Sequence, residues 1–179
     1  MKPVQHWRRW LFLAVALAIA IWIYLPIVTF APYEYDHGST VVLDKDGLAL
    51  FEIPKDRYTY MQPVSLDTVP DLFQNLLIWK EDRTFHRNFG VALPSKLKLA
   101  WELVTTGRWS RGGSTITEQW IKNKYFPDAD RTFLQKIREM ALAVTFSFTT
   151  SKEVILEEYI NHIYFGELAY GIHTASQLY

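Results

Sequence analysis

The chemistry available to this chain sits in one polar run and two carboxylates. The run is "RGGSTITEQWIKN", residues 111–123: adjacent glycines, three hydroxyls within four positions, then Glu118, Gln119, Lys122 and Asn123 among Ile116, Trp120 and Ile121. Gly112 and Gly113 let backbone approach a ligand closely and lead into a helix start, whose N–H groups favour anions. Ser114, Thr115 and Thr117 add donors, and Lys122 and Arg131 add positive charge. Together these groups suit a phosphate-bearing ligand. An ordinary helix cap accounts for Ser114 or Thr115 but not for the whole cluster. The Walker spacing is absent, which excludes a nucleotide P-loop.

The first acid, Glu81 in "WKEDRTF", follows an apolar-striped helix, a setting that would partly desolvate it, as a general base requires. The second, Glu139 in "QKIREMALAV", has Lys136 one turn earlier on the same face. Alone, each reads as a surface glutamate. The polar run between them gives the pair its weight.

Helices must position these groups. "DTVPDLFQNLLIWKEDRTF" carries Leu72, Phe73, Leu76 and Leu77 at helical spacing behind a proline. "PSKLKLAWELV" predicts a shorter helix. "RTFLQKIREMALAVTFSF" predicts a third, striped by Leu134, Ile137, Met140, Ala141 and Val144. "TSKEVILEEYINHIYF" predicts another, with Thr150 and Glu153 in capping-box spacing and a stripe of Ile155, Leu156, Tyr159, Ile160 and Ile163. Upstream, Val41–Leu43 and Leu48–Phe51 around Asp46-Gly47 predict a β-hairpin. The expected fold class is mainly α with one small hairpin.

The N-terminus supplies an expectation about place. Lys2, Arg8 and Arg9 precede an uncharged run from Trp10 to Tyr33. A helix over Leu11–Phe30 would span roughly 30 Å, a bilayer core, and the basic flank would keep its start inside. No good cleavage site follows Phe30, which favours an uncleaved transmembrane anchor over a signal peptide. The expected layout is a cytoplasmic tail (1–9), the anchor (10–30), a linker with the hairpin (31–66) and a catalytic domain (67–179). Acidic and basic residues balance at 19 each, which gives no bulk charge for nucleic acid. The absence of cysteine excludes disulfides, thiolate zinc and a cysteine nucleophile.

Five segments carry a resemblance. "EDRTFHRNFG", "GGSTITEQWIKN", "KIREMALA", "SKEVILEEYIN" and "YFGELAYGIHTASQLY" stand in the order, and nearly at the spacing, of the peptidoglycan glycosyltransferases, glycosyltransferase family 51, which the chain resembles from about Asp44 to Tyr179. The resemblance implies a lysozyme-like fold with a head lobe and a membrane-embedded jaw. It implies polymerisation of lipid II, a disaccharide-peptide on undecaprenyl diphosphate, into a growing glycan strand. In that reading Glu81 is the general base toward the acceptor 4-hydroxyl, and Glu139 assists or orients groups at the leaving diphosphate. Asp82 and Phe85 belong to the first motif. Gly112, Gly113, Ser114, Thr115, Thr117, Gln119 and Asn123 would line the cleft, with Lys122, Arg131 and Lys136 as its basic groups. The implied location is the bacterial inner membrane, single-pass, with the catalytic part outside the cytoplasm. Implied partners are membrane lipids and cell-wall synthesis or division proteins. No cofactor is certain from the resemblance, and a divalent cation is left open. "PSKLKLAWELVTTGRWSR", with Lys96, Lys98, Arg108 and Arg111 between Trp101 and leucines, would be the part of the jaw lying in a membrane surface.

The chain departs from the family pattern at Asn88 (usually His), Ala92 (Asp), Glu118 (Gln) and Ser147 (Glu). Glu118 brings negative charge close to the expected diphosphate. "GIHTASQLY" stops within the fifth motif, in an apolar helical run, so the chain is expected to be C-terminally incomplete and weakly active. Two rivals stay open: a non-catalytic lipid II-binding paralogue, and a lytic enzyme with one acidic glutamate, which would need no basic cluster. A nucleotide-sugar transferase using Asp128 and Asp130 in "PDAD" for a metal is the weakest, because that stretch reads as a polar turn.

Overall fold

The computed structural model describes residues 4–29, 38–54, 61–107, 112–126 and 132–179. Arg108, Arg111, Arg131 and the "PDAD" turn lie outside them. The chain is mainly α with small β-hairpins. In order come α1 (Val4–Thr29), β1 (Thr40–Leu43), β2 (Ala49–Ile53), a 3-10 turn (Leu66–Thr68), α2 (Asp71–Glu81), α3 (Leu93–Thr106), α4 (Ile116–Tyr125), α5 (Phe133–Thr149), α6 (Lys152–His162), β3 (Tyr164–Gly166), β4 (Ala169–Tyr170) and α7 (Ile172–Leu178).

α4, α5 and α6 form the centre. Ile116, Trp120 and Ile121 of α4 pack on Leu142 and Ala143 of α5 and on Ile155, Leu156, Tyr159 and Ile160 of α6, with Val69 and Phe85 closing the cluster. The α6 stripe matches its sequence periodicity, although the cap is Ser151, whose side chain accepts the N–H of Val154, and not Thr150. α5 is rotated from the expected face. Gln135, Glu139, Leu142 and Ala143 are its buried residues, while Leu134 is half exposed.

Two connections fix α2. Asn161 of α6 accepts the Val64 N–H at 3.0 Å and donates to the Val64 carbonyl at 2.8 Å. Glu157 accepts the Leu66 N–H at 2.8 Å. α2 then starts directly after Pro70. The loop after α2 docks on α5 at Gly90 (φ +82°), where a Cβ would lie 2.1 Å from the Ala143 carbonyl oxygen, so no side chain fits.

β1 and β2 pair antiparallel around the expected Asp46-Gly47 turn. The Asp44 carboxylate accepts the N–H groups of Asp46 and Leu48, and Gly47 has φ +84°. α6 ends at His162, short of the Phe165 to which its sequence segment ran, and a second hairpin follows. Tyr164 pairs with Tyr170 across a turn whose central residues, Glu167 and Leu168, both have positive φ.

The transmembrane anchor and the single-pass inner-membrane placement are overturned: among the described residues no helix is long and apolar enough to cross a membrane. α1 runs alongside α5.

Candidate active site

The polar run forms the entry and first turns of α4. Gly112 and Gly113 have φ +117° and +77°, a backbone that residues with a Cβ rarely adopt. Thr115 is the N-cap: its hydroxyl accepts the Glu118 N–H at 3.1 Å, while Glu118 Oε2 accepts the Thr115 N–H at 3.2 Å. This is a reciprocal capping box. The Thr115 hydroxyl also donates to the Gly90 carbonyl at 2.6 Å, tying α4 to the loop after α2.

Asp82, buried at the C-cap of α2, organises that loop. It accepts from the Thr84 N–H and hydroxyl at 3.1 and 2.9 Å and from Asn88 Nδ2 at 2.8 Å. A longer contact of 3.4 Å runs from the Ile116 N–H, placing the carboxylate before the start of α4, where the helix dipole favours it. The donors expected to be free at this helix start are therefore partly used: Ile116 donates to Asp82, and Glu118 donates to Thr115. Asn88, where the family pattern has His, also accepts the Gly90 N–H and the Lys152 ammonium at 3.0 and 3.2 Å. The Lys152 Nζ lies 4.8 Å from the ring centroid of Phe85. Burial holds its pKa below the usual lysine value, and Asp82 opposes that shift.

The two acids flank the first turns of α4. On one side, Gln119 Nε2 donates to Glu81 Oε2 at 3.2 Å, and the Tyr159 hydroxyl donates to Gln119 Oε1 at 3.1 Å. A carboxylate only accepts, so Glu81 selects the amide nitrogen, and the tyrosine proton occupies the amide oxygen. Burial, and then the charge of Glu81, push the Tyr159 pKa up, which keeps that proton in place. On the other side, Lys136 reaches Ser114 Oγ at 3.0 Å, Glu139 Oε2 at 3.2 Å and Glu118 Oε2 at 3.4 Å. Glu139 is thus ion-paired, whereas Glu81 has no salt-bridge partner among the described residues.

The remaining expected site residues divide by burial. Ser114, Gln119, Lys122 and Lys136 are partly exposed, and Gly112, Gly113 and Asn123 are exposed. Phe85, Thr115 and Thr117 are buried, so they face the interior. The Thr117 hydroxyl has no hydrogen-bond partner among the described residues. No described group of three or more His, Asp or Glu side chains could hold a metal ion. Two residues were not anticipated from sequence. Tyr159 lies in the apolar stripe of α6 and reads as core. Lys96 reads as part of a basic, membrane-facing segment, yet its ammonium sits 2.7 Å from Glu118.

The transglycosylase family model matches residues 46–179. The chain belongs to the transglycosylase family. Penicillin-binding protein 1A of Pseudomonas aeruginosa is 38% identical over 138 residues, 77% of this chain and 16% of that protein. Penicillin-binding protein 1F of Bacillus subtilis is 30% identical over 175 residues, 94% of this chain and 24% of that protein. Penicillin-binding protein 1A of Aquifex aeolicus is 40% identical over 116 residues, 65% of this chain and 16% of that protein. This transglycosylase region therefore spans a quarter or less of the length of these relatives.

Proposed function

We propose that this transglycosylase polymerises lipid II into glycan strands, with Glu81 as general base and the Lys136–Glu139 pair on the leaving-group side. The observation that carries the reading is the asymmetry across α4. One carboxylate is oriented by an amide and has no described counter-ion. The other is held against an ammonium beside Ser114.

The chemistry follows from that division. Glu81 takes the proton of the acceptor 4-hydroxyl as its oxygen bonds to the donor anomeric carbon. The bond from that carbon to the undecaprenyl diphosphate oxygen breaks on the opposite face, and its electron pair departs with the diphosphate. Configuration inverts, and the developing charge falls where Lys136 and Lys122 supply positive charge. Glu139 holds Lys136 in position. Gly112 and Gly113 keep the approach to Ser114 free of side chains.

The lipid moiety of such a substrate calls for an apolar surface nearby. Leu93, Leu97, Trp101 and Val104 form an exposed stripe along α3, each at least 68% exposed, with Lys98 beside it. That amphipathic face suits contact with lipid.

The test is Glu81→Gln, which keeps shape and removes the base. Polymer yield from lipid II in detergent is expected to fall at least about a hundredfold, with unchanged circular dichroism. A rate within threefold of wild type, from folded protein, would overturn the assignment. Glu139→Gln is expected to slow turnover as well.

A further inference from the structure

Glu118 is fully buried, and its role in the capping box does not explain its charge. Glutamine closes the same box with a neutral oxygen, and the family pattern has glutamine there. A buried carboxylate is costly unless it is paired. Lys96 of α3 supplies the closest cation, 2.7 Å from Glu118 Oε2, and donates to the Gly113 carbonyl at 2.6 Å. Lys136 approaches the same Oε2 only to 3.4 Å while holding Ser114 and Glu139 more closely. One buried anion thus stands between two lysines, and the nearer one belongs to no part of the catalytic reading.

We propose that Lys96 is a positioning residue: it neutralises Glu118, so that Lys136 stays directed at Ser114 and Glu139, and it fixes the glycine turn through the Gly113 carbonyl. Without Lys96, Glu118 has Lys136 as its remaining described counter-ion and draws it away from the cleft. Because the Gly113–Ser114 peptide is trans, holding that carbonyl also sets the direction of the Ser114 N–H. The negative charge that Glu118 brings near a diphosphate is therefore cancelled locally, and the Lys96–Glu118 pair acts as a unit. The inference rests on the reading of Lys136 as the leaving-group cation.

The experiment compares wild type with Lys96→Met, Glu118→Gln, the double variant and Lys96→Arg. Two readouts are taken: KM and kcat for lipid II, and the rate at which an N-hydroxysuccinimide ester acylates Lys136, followed by mass spectrometry. Lys96→Met is expected to raise KM about tenfold, a differential of about 1.4 kcal/mol, with a smaller change in kcat, and to slow Lys136 acylation. Adding Glu118→Gln, or replacing Met by Arg, is expected to restore both. The proposal is overturned if the double variant is no better than Lys96→Met, or if Lys136 acylation is unchanged by Lys96→Met. If Lys96→Met does not fold, folding regained in the double variant supports the pairing, and failure of the double variant too overturns it. Lack of any lipid II turnover by wild type would count against the proposed function, while the acylation arm would still decide the Lys96 coupling.

Discussion

Tyr159→Phe removes one oxygen from the interior and leaves every carbon in place, which makes it a sensitive probe of how Glu81 is held. The hydroxyl donates to Gln119 Oε1 at 3.1 Å, and the same amide donates to Glu81 at 3.2 Å. Without the hydroxyl the amide oxygen loses its donor, at a cost of about 1–3 kcal/mol. Part of that cost is relieved if the amide turns, but then its oxygen faces the carboxylate and repels it. If half of the penalty reaches the transition state, the rate falls by roughly 2- to 13-fold, since about 1.36 kcal/mol is tenfold. The assay is kcat/KM on lipid II together with the denaturation midpoint. The expected result is about a fivefold loss. In a Gln119→Leu background, where no amide remains to orient, Tyr159→Phe is expected to cost little further rate. Equal fractional losses in the two backgrounds would refute the relay and leave Tyr159 as core packing.

Gly90→Ala is expected to destabilise the fold by about 2–5 kcal/mol. Left-handed backbone accounts for about 1–2 of this, and overpacking against the Ala143 carbonyl adds about 1–3. Thermal or urea unfolding measures it, and a loss below about 1 kcal/mol would contradict the close docking at that glycine. Tyr125 contributes, with Tyr159, to an alkaline limb: burial, then the charge of Glu158, push its pKa up from 10.0 to about 12. A group whose pKa is raised on folding contributes stability that is complete below pH 10.0 and lost as pH rises toward about 12. Tyr125→Phe should flatten that decline in urea-unfolding free energies measured from pH 9 to 11.5, and an unchanged slope would speak against it.

Much of this architecture was legible from residue spacing, and the exceptions have physical causes. α6 keeps its stripe because a helix buried in the centre obeys helical periodicity without competing demands. α5 turned out rotated because its inner face carries Lys136 and Glu139, the former reaching Ser114 and Glu118 of the polar run. Glu139 and Gln135 are buried where apolar spacing favoured Leu134 and Ile137, and such local inconsistency is expected where a site is built. The β3–β4 turn gave no signal, since Glu167 and Leu168 are not residues that announce left-handed backbone. The Gly-Gly run and Glu81 stood out by type, whereas Tyr159 and Lys96 did not. A tyrosine in an apolar stripe and a lysine among leucines have ordinary roles until the packing shows what their polar ends meet. The N-terminal run was read from its length and its flanking charges, and among the described residues no helix is long and apolar enough to cross a membrane.

The amide of Asn161 clasps Val64 across 97 residues of chain. Glu157 grips Leu66 across 91. Contacts of such separation form late, because the loop they close must first be ordered. On a ribosome, the segment leading into α2 would emerge long before its partners on α6 were made. Glu81 would then acquire its final setting only when the last third of the chain had folded back. A nascent chain halted before α6 would carry the polar run and Glu81 but not the clasp that registers one against the other. Assembly of this candidate site is therefore coupled to completion of α6.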